Sequence, residues 1–461
     1  MGLRCLTNPR LGNGSTSPAL PVKSKAYRHS SMSSKVSENS VNGRRADVVI
    51  VGAGPAGLAA AAACKDAGVA AMVLERGKTA DLRDRRLPEE IGEGIGGAGL
   101  FSDGKFSFYP SGTRLWELQP SRSLFAAYSW VSGILRPFGI DVPPFPSRHD
   151  VVTETSNPDG FHIKEYPSFR IPLDKRLELV KKLADSGESI STLVEVIGMR
   201  VEDKGILVNI RATTGEQKTE DEEVLARAVI VATGRLGAIR LLPWVSNDAV
   251  FRRLEVGVRI EQSEDAFFLR DARGLDPKLI AHERSGVEWR TFCCCRAGEV
   301  VEVLSNGILA VAGRSDISST RRSNIAFHVR ITDPELGRRV ASSVLSLLDQ
   351  RANSFSVRVD NVGNDLTLNG ILTDTFGAEA AEELVVGLRK LQHEFDICGP
   401  VTVHGPAVEG VGFYPRVGPN LQMTGVPVWL PGDVAGLFRG LTAALVSGYF
   451  VGRDCAEYIC P

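Results

Sequence analysis

Residues 46–77 read ADVVIVGAGPAGLAAAAACKDAGVAAMVLERG, and this stretch decides the fold. Val48–Val51 is a continuous β-branched run, as expected for a strand buried on both faces. Gly52, Gly54 and Gly57 follow as G-x-G-x-x-G. Leu58–Ala67 is alanine-rich and predicts a helix. Val73 and Leu74 end a second strand, with Glu75 directly after it. Gly52 permits a tight turn, Gly54 lets backbone approach a pyrophosphate, and Gly57 lets the helix pack closely on the strand. The helix N-terminus offers free N–H groups and partial positive charge to a diphosphate. Glu75 lies 18 residues after Gly57, where a carboxylate accepts hydrogen bonds from ribose hydroxyls. Together these parts predict a dinucleotide-binding βαβ unit. A second literal match, Gly94 to Gly99, has no strand before it and no obvious helix after it, so 92–105 reads as a flexible loop.

Around this unit, 461 residues with 43% apolar and 24% charged side chains describe a globular chain large enough to enclose a deep cavity. A net charge of −1 gives no global electrostatic case for nucleic acid or an acidic membrane as partner. Eight cysteines are too few for a disulfide scaffold and fit a reducing compartment. Glycine, at 47 residues, exceeds the ~7% background and implies many close backbone approaches. Residues 1–45 hold eight Lys or Arg, nine Ser and one acid, a balance of +7 that leaves −8 on the remainder. Such a tail is either an organelle transit peptide or a disordered segment without an address. The expected location is therefore cytoplasmic, or mitochondrial or plastid if the tail targets. No stretch reads as transmembrane, because glycine, proline or charge interrupts each apolar run. The charged stretches 81–90 and 216–223 read as solvated loops or hairpin ends.

Three further segments carry a family resemblance. Residues 228–234, AVIVATG, resemble the strand ending in Thr-Gly that closes the nucleotide domain of FAD-dependent oxidoreductases with a glutathione-reductase-like fold. Residues 428–452, VWLPGDVAGLFRGLTAALVSGYFVG, resemble their late Gly-Asp motif. Residues 96–105 (GGAGLFSDGK), 256–261 (VGVRIE) and 291–301 (TFCCCRAGEVV) resemble the FAD-dependent dehydrogenase group. The resemblance implies an α/β chain: a Rossmann-type FAD-binding domain with a parallel sheet, interrupted by an α+β substrate domain with a mainly antiparallel sheet. It divides the chain into FAD-binding parts at 46–105, 173–245 and 401–461 and substrate-domain parts at 106–172 and 246–400. By the same analogy Gly52, Ala53, Gly54, Pro55, Ala56, Gly57, Glu75 and Arg76 contact the ADP half of FAD. Gly97 and Gly234 join the cofactor set, Gly432 and Asp433 hold ribityl and diphosphate, and Gly436 to Leu441 lie near the isoalloxazine. Aromatic hydroxylases carry Gly-Asp-x-x-His-x-x-x-Pro, whereas this chain has Gly432-Asp433-Val434-Ala435-Gly436 without the histidine.

Several single residues allow a plain structural role beside a functional one. Lys105, in Ser102-Asp103-Gly104-Lys105, either belongs to a β-turn or stabilises reduced, anionic flavin. Arg439 binds diphosphate, substrate or solvent. His404 is a candidate acid or base before the last nucleotide segment. Arg259 and Glu261 either face the cavity together or pair with each other. Cys293, Cys294 and Cys295 alternate faces of a strand and cannot all reach one ion, so no metal is expected and apolar packing is preferred, with one of the three able to face the flavin. Cys455 and Cys460 read as the last turn of a helix. Leu441, Leu445, Gly448, Gly452 and Cys455 read as a helix face packed on the sheet, and Leu124, Tyr128, Val131 and Leu135 as core.

The reading that results is an FAD-dependent dehydrogenase or reductase moving hydride between an unidentified small molecule and flavin N5, with NADH or NADPH a candidate transient donor. A monooxygenase or oxidase using O2, and a non-catalytic binding protein of the same fold, remain alternatives. The sequence leaves oligomeric state open.

Overall fold

The computed structural model describes residues 44–147, 160–185, 189–214, 218–245, 249–284, 286–316, 319–349, 354–397 and 399–461. The tail expectation for 1–43 therefore lies outside the described residues. Arg44 and Arg45 already belong to the first strand, Arg44–Val51.

That strand is the centre of the first sheet. It pairs in parallel with Ala71–Leu74 on one side and with Lys218–Val231 on the other, with Val48 opposite both Ala71 and Ala228. Ile190–Ser191 extends the parallel edge, and Val428–Trp429 pairs in parallel with Lys218–Val231. The far edge is antiparallel: Gly205–Thr214 pairs with Lys218–Val231, and Val194–Glu202 pairs with Gly205–Thr214. The acidic run expected as a loop or hairpin end is thus mostly strand. Its residues Glu220–Glu223 lie exposed on the outer half of Lys218–Val231.

The second sheet is antiparallel throughout. Its order is Phe355–Val359, Val401–Pro415, Ala249–Ser263, Arg322–Ile331, Val287–Cys295, Lys278–Arg284 and His162–Lys164. Val401–Pro415 belongs here, so the boundary expected at 401 falls after this strand. The fold class is a Rossmann-type α/β unit joined to an antiparallel β-rich unit.

The packing of two helices explains two glycines of the later motif. Pro55–Asp66 and Leu441–Ile459 pack against each other rather than the second packing only on the sheet. A Cβ on Gly448 would stand 2.2 Å from Ala56 O, and one on Gly452 would stand 2.5 Å from Ala60 O. Only glycine lets the backbones approach this closely. Cys455 is buried in this helix and Cys460 is exposed just beyond it. Helix Ser121–Leu135 buries Leu124, Tyr128, Val131 and Leu135, and Trp130 stacks on Tyr449 at 4.4 Å between ring centroids.

Candidate functional site

A cavity of about 520 Å³ runs from the glycine turn of the first sheet to the inner wall of the second. Its nucleotide end is built by sterics. Gly52 has φ +98°, and a Cβ there would be 2.8 Å from Ala232 O; a Cβ on Gly57 would be 1.9 Å from Gly52 O. Pro55 opens the first helix and no side chain caps it, which leaves its first amides directed outward as an anion site. Gly52, Gly54, Pro55, Ala56, Glu75, Arg76, Gly97, Gly234, Gly432, Asp433 and Leu441 line the cavity. Ala53, Gly57 and Gly436 sit behind the wall and shape it. Gly436, at φ +71°, lies where a Cβ would meet the Tyr414 ring at 2.5 Å.

Glu75 is nearly buried, and its carboxylate serves the protein first. Oε2 accepts from Ala53 N at 2.8 Å, while Oε1 accepts from Gly77 N at 2.9 Å and Gly94 N at 3.1 Å. Arg76 instead reaches sideways to Glu93 and to Asn306 Oδ1, the latter at 3.0 Å.

The segment expected as a flexible loop, 92–105, is held by Arg83. This arginine, from a stretch read as solvated, is buried. Its Nε and Nη2 donate to Glu90 O at 2.9 and 2.7 Å, Nη2 also to Ile91 O at 3.0 Å, and Nη1 to Ile95 O at 2.8 Å and Gly97 O at 3.1 Å. Its guanidinium lies over the Phe101 ring. Burial pushes its pKa down to about 10, with Glu75, Glu90 and Glu93 opposing. Gly97 is thereby placed against Gly54, where a Cβ on Gly97 would be 3.1 Å from Gly54 Cα.

At the motif after residue 428, Asp433 faces the cavity between Arg253 Nη2 at 3.3 Å and Arg235 Nε at 3.5 Å. Arg439 is bound by Glu409 at 2.6 Å and Glu255 at 3.0 Å, with its guanidinium over Phe292. Glu255 is fully buried. Burial raises its pKa, but Arg439, Arg290, Arg253 and Arg330 outweigh that and keep it well below the usual carboxylate range. Arg439 thus lines the cavity as part of a charge network, not as a free cation.

Lys105 also lines the cavity and is similarly committed. Its Nζ contacts Asp103 Oδ2 at 2.8 Å and Asp276 Oδ1 at 3.1 Å, and donates to Cys294 O at 2.5 Å. Burial lowers its pKa, yet the two carboxylates hold it well above the ordinary lysine value. Tyr166 donates to Asp276 Oδ2 at 2.9 Å. Lys278 lines the same wall, and burial together with Arg290 and Arg439 holds its pKa well below the ordinary value. Sequence reading missed Arg83, Tyr166, Asp276 and Lys278. None sits in a recognisable motif, and strands distant in the chain bring them together.

His404 does not join this site. Its Nε2 is 3.7 Å from Glu261 Oε1, and the residue is not part of the cavity wall. Proximity to the last nucleotide segment along the chain does not become proximity in space, because His404 belongs to the second sheet. Arg259 and Glu261 part company as well. Arg259 lines the cavity, whereas Glu261 pairs with Arg322 at 2.6 Å. Strand alternation holds for the cysteines in part: Cys294 is turned away and buried, but Cys293 and Cys295 converge on Asp103 instead of packing among apolar side chains.

Residues 45–85 match the family model described as an FAD binding domain. No curated protein sequence matches the chain significantly. Among solved structures, a flavoprotein/dehydrogenase from Cytophaga hutchinsonii is similar at 13% identity and TM-score 0.36, over 90% of this chain and 79% of that one. An open-conformation flavocytochrome c3 fumarate reductase is similar at 10% identity and TM-score 0.41, over 91% and 79%. OxyS anhydrotetracycline hydroxylase from Streptomyces rimosus is similar at 15% identity and TM-score 0.36, over 90% and 63%.

The cavity fits the cofactor that the matched domain implies. The glycine cradle admits a diphosphate, and the buried Thr233 hydroxyl on the cavity wall has no partner among the described residues. Residues 45–85 thus carry an FAD binding domain segment, and the cavity they border fits FAD. No helix among the described residues is long and apolar enough to cross a membrane.

Proposed function

We propose that the chain is a dehydrogenase or reductase that exchanges hydride between FAD and a small organic substrate seated against the second sheet. The observation supporting this is the polar wall of Tyr166, Asp276, Lys105 and Lys278 at the end of the cavity opposite the glycine turn. In this reading Gly52, Gly54, Pro55, Ala56 and Glu75 hold the ADP half, and Asp433 holds the ribityl chain between Arg235 and Arg253. The last helix points its N-terminus, at Gly440 and Leu441, into the cavity and favours negative charge there. When bound, FAD supplies the two-electron chemistry; the protein orients the substrate and excludes water.

Lys105 is a positioning residue in this scheme, because its charge is spent on Asp103 and Asp276. It fixes Asp276, which in turn orients Tyr166. Lys278 is the amine that meets substrate, and the lowering of its pKa by burial, Arg290 and Arg439 suits it to accept a proton from that substrate. His404 is dropped as the acid or base, because it faces Glu261.

The test begins with the absorbance spectrum of the purified chain and identification of the released chromophore. Anaerobic NADH and NADPH are then added separately. Bleaching of the flavin by one nicotinamide identifies a reductase and its donor. A flavin that neither bleaches nor reacts with hydroxy- or amino-substrates overturns the hydride reading. Oxygen consumption coupled to incorporation of oxygen into a substrate replaces it with the monooxygenase.

A further inference from the structure

The cavity wall contains a feature that hydride transfer to a substrate does not use. Cys293 Sγ and Cys295 Sγ are 3.8 Å apart, and both approach Asp103 Oδ2, at 3.2 and 3.8 Å. Residues two apart on a flat strand share a face but stand too far apart for a disulfide, whose Cα atoms are usually ~4.4–6.8 Å apart. Here the pairing with Arg322–Ile331 slips between Phe292 and Cys295, and Cys293 takes φ +53°. A left-handed conformation is uncommon for a non-glycine residue, and a bulge of this kind re-aims side chains beside functional sites.

The electrostatics of the cluster are specific. Arg259 is 2% exposed and forms no salt bridge among the described residues. Its partners are Asn324 Oδ1 at 2.9 Å, Cys293 O at 2.7 Å and Cys295 Sγ at 3.8 Å. A buried cation requires a compensating charge. Lys105 and Arg259 together balance Asp103 and Asp276, so the two sulfurs sit in a cluster whose charges already cancel. The two sulfurs lie within hydrogen-bond reach of each other, and this contact holds the Cys295 pKa below the ordinary thiol range against the effect of burial. Cys293 lines the cavity, whereas Cys295 is fully buried behind it. Three ligand atoms of Asp103, Cys293 and Cys295 lie within 4.8 Å of one another, the spacing of a metal site. Lys105 and Arg259 already place two positive charges on them, which disfavours a third.

We propose that Cys293 and Cys295 form a reversible dithiol/disulfide couple that exchanges an electron pair with the flavin. The inference rests on the FAD reading of the cavity. Oxidation joins the two Sγ atoms, releases both thiol protons and passes two electrons to oxidised FAD, which takes up one proton while the other leaves to solvent. Reduction of the disulfide by reduced FAD runs the same balance backwards.

The experiment uses the full chain with its FAD, without substrate. After exposure to diamide the protein is denatured, alkylated with iodoacetamide and cut with trypsin; the peptide 291–296 holds all three cysteines. The expected result is one alkylated cysteine and two protected ones, converting to three alkylated after dithiothreitol. Anaerobic dithionite titration of the diamide-treated holoprotein is expected to take about four electrons per FAD, two for each couple. Cys293→Ser and Cys295→Ser reduce that count to about two and abolish protection, whereas Cys294→Ala preserves both. Three alkylated cysteines after diamide, with two electrons per FAD in the wild-type protein, overturn the proposal even if every variant misfolds. Stoichiometric zinc released on thiol alkylation also overturns it. A chain that binds no FAD yet shows reversible protection keeps the couple and removes the FAD reading of the cavity.

Discussion

Glu75 Oε2 accepts the Ala53 amide at 2.8 Å, tying the end of the second strand to the turn of the first. The same carboxylate holds Gly77 and Gly94 through its other oxygen. Glu75 is therefore a joint for three backbone segments around the cavity as well as a candidate ribose acceptor.

Replacing this joint should weaken cofactor and fold together. Hydrogen bonds to a charged group contribute roughly 1.5–3 kcal/mol each, and Glu75→Ala leaves three amides without their acceptor. FAD affinity is expected to fall roughly 10- to 100-fold, and the melting temperature of the FAD-free protein to fall with it. Glu75→Gln, which keeps an acceptor oxygen, should lose less of both. Flavin fluorescence titration and thermal unfolding with and without FAD measure the two effects; an unchanged FAD-free melting temperature in Glu75→Ala would contradict the joint.

The glycines make a sharper case. A methyl on Gly57 would sit 1.9 Å from Gly52 O, and a methyl on Gly448 would sit 2.2 Å from Ala56 O. Both obstacles are backbone, so neither can rotate aside. Gly448→Ala should push the two helices apart and destabilise by about 1–3 kcal/mol, the usual cost of overpacking. Gly57→Ala should do the same and also lose FAD, because it displaces the turn itself. Gly133→Ala serves as a steric control, as nothing lies within 4 Å of its Cβ position and it sits within helix Ser121–Leu135. Chemical denaturation of the three variants ranks them.

The glycine cradle was legible because its chemistry is local. Gly52, Gly54, Gly57 and Glu75 act within one βαβ unit, so spacing along the chain is spacing in space. The motif at Gly432–Asp433 was legible for the same reason. The polar wall was not. Tyr166, Asp276 and Lys278 come to Lys105 where Lys278–Arg284 pairs with His162–Lys164, strands more than 100 residues apart in the chain. His404 failed in the opposite sense, near the motif in sequence but turned toward Glu261. Arg83 was hidden by composition, since a charged stretch gives no sign that one of its arginines is buried among carbonyls.

Arg83 yields a prediction of its own. Five donors in a rigid fork reach four carbonyl oxygens, a geometry that an ammonium cannot copy. Arg83→Lys is expected to cost about 2–4 kcal/mol, as buried carbonyls lose their donors. The loop through Gly97 should then open. Limited proteolysis within 90–100 and accelerated amide exchange there would report it, and FAD should restore part of the protection by mass action. Proteolysis patterns identical to wild type would show that the clamp is dispensable.

Lys278 gives the pH dependence its sign. Burial, then Arg290 and Arg439, hold its pKa well below the ordinary lysine value in the folded chain. In the unfolded chain it titrates near ~10.4. Between those two values the unfolded chain binds the extra proton, so stability rises with pH across the window and is lost as pH falls toward the lowered value. Above the window both forms are neutral and the effect vanishes. Lys278→Met, with a neutral side chain throughout, should therefore melt higher than wild type by about 2 °C or more below the window. The gap should close as pH approaches the ordinary lysine range. Thermal unfolding of both proteins across neutral to alkaline pH measures the gap. A pH-independent difference would mean that Lys278 keeps its proton in the folded state, and the proton-accepting role assigned to it would fall.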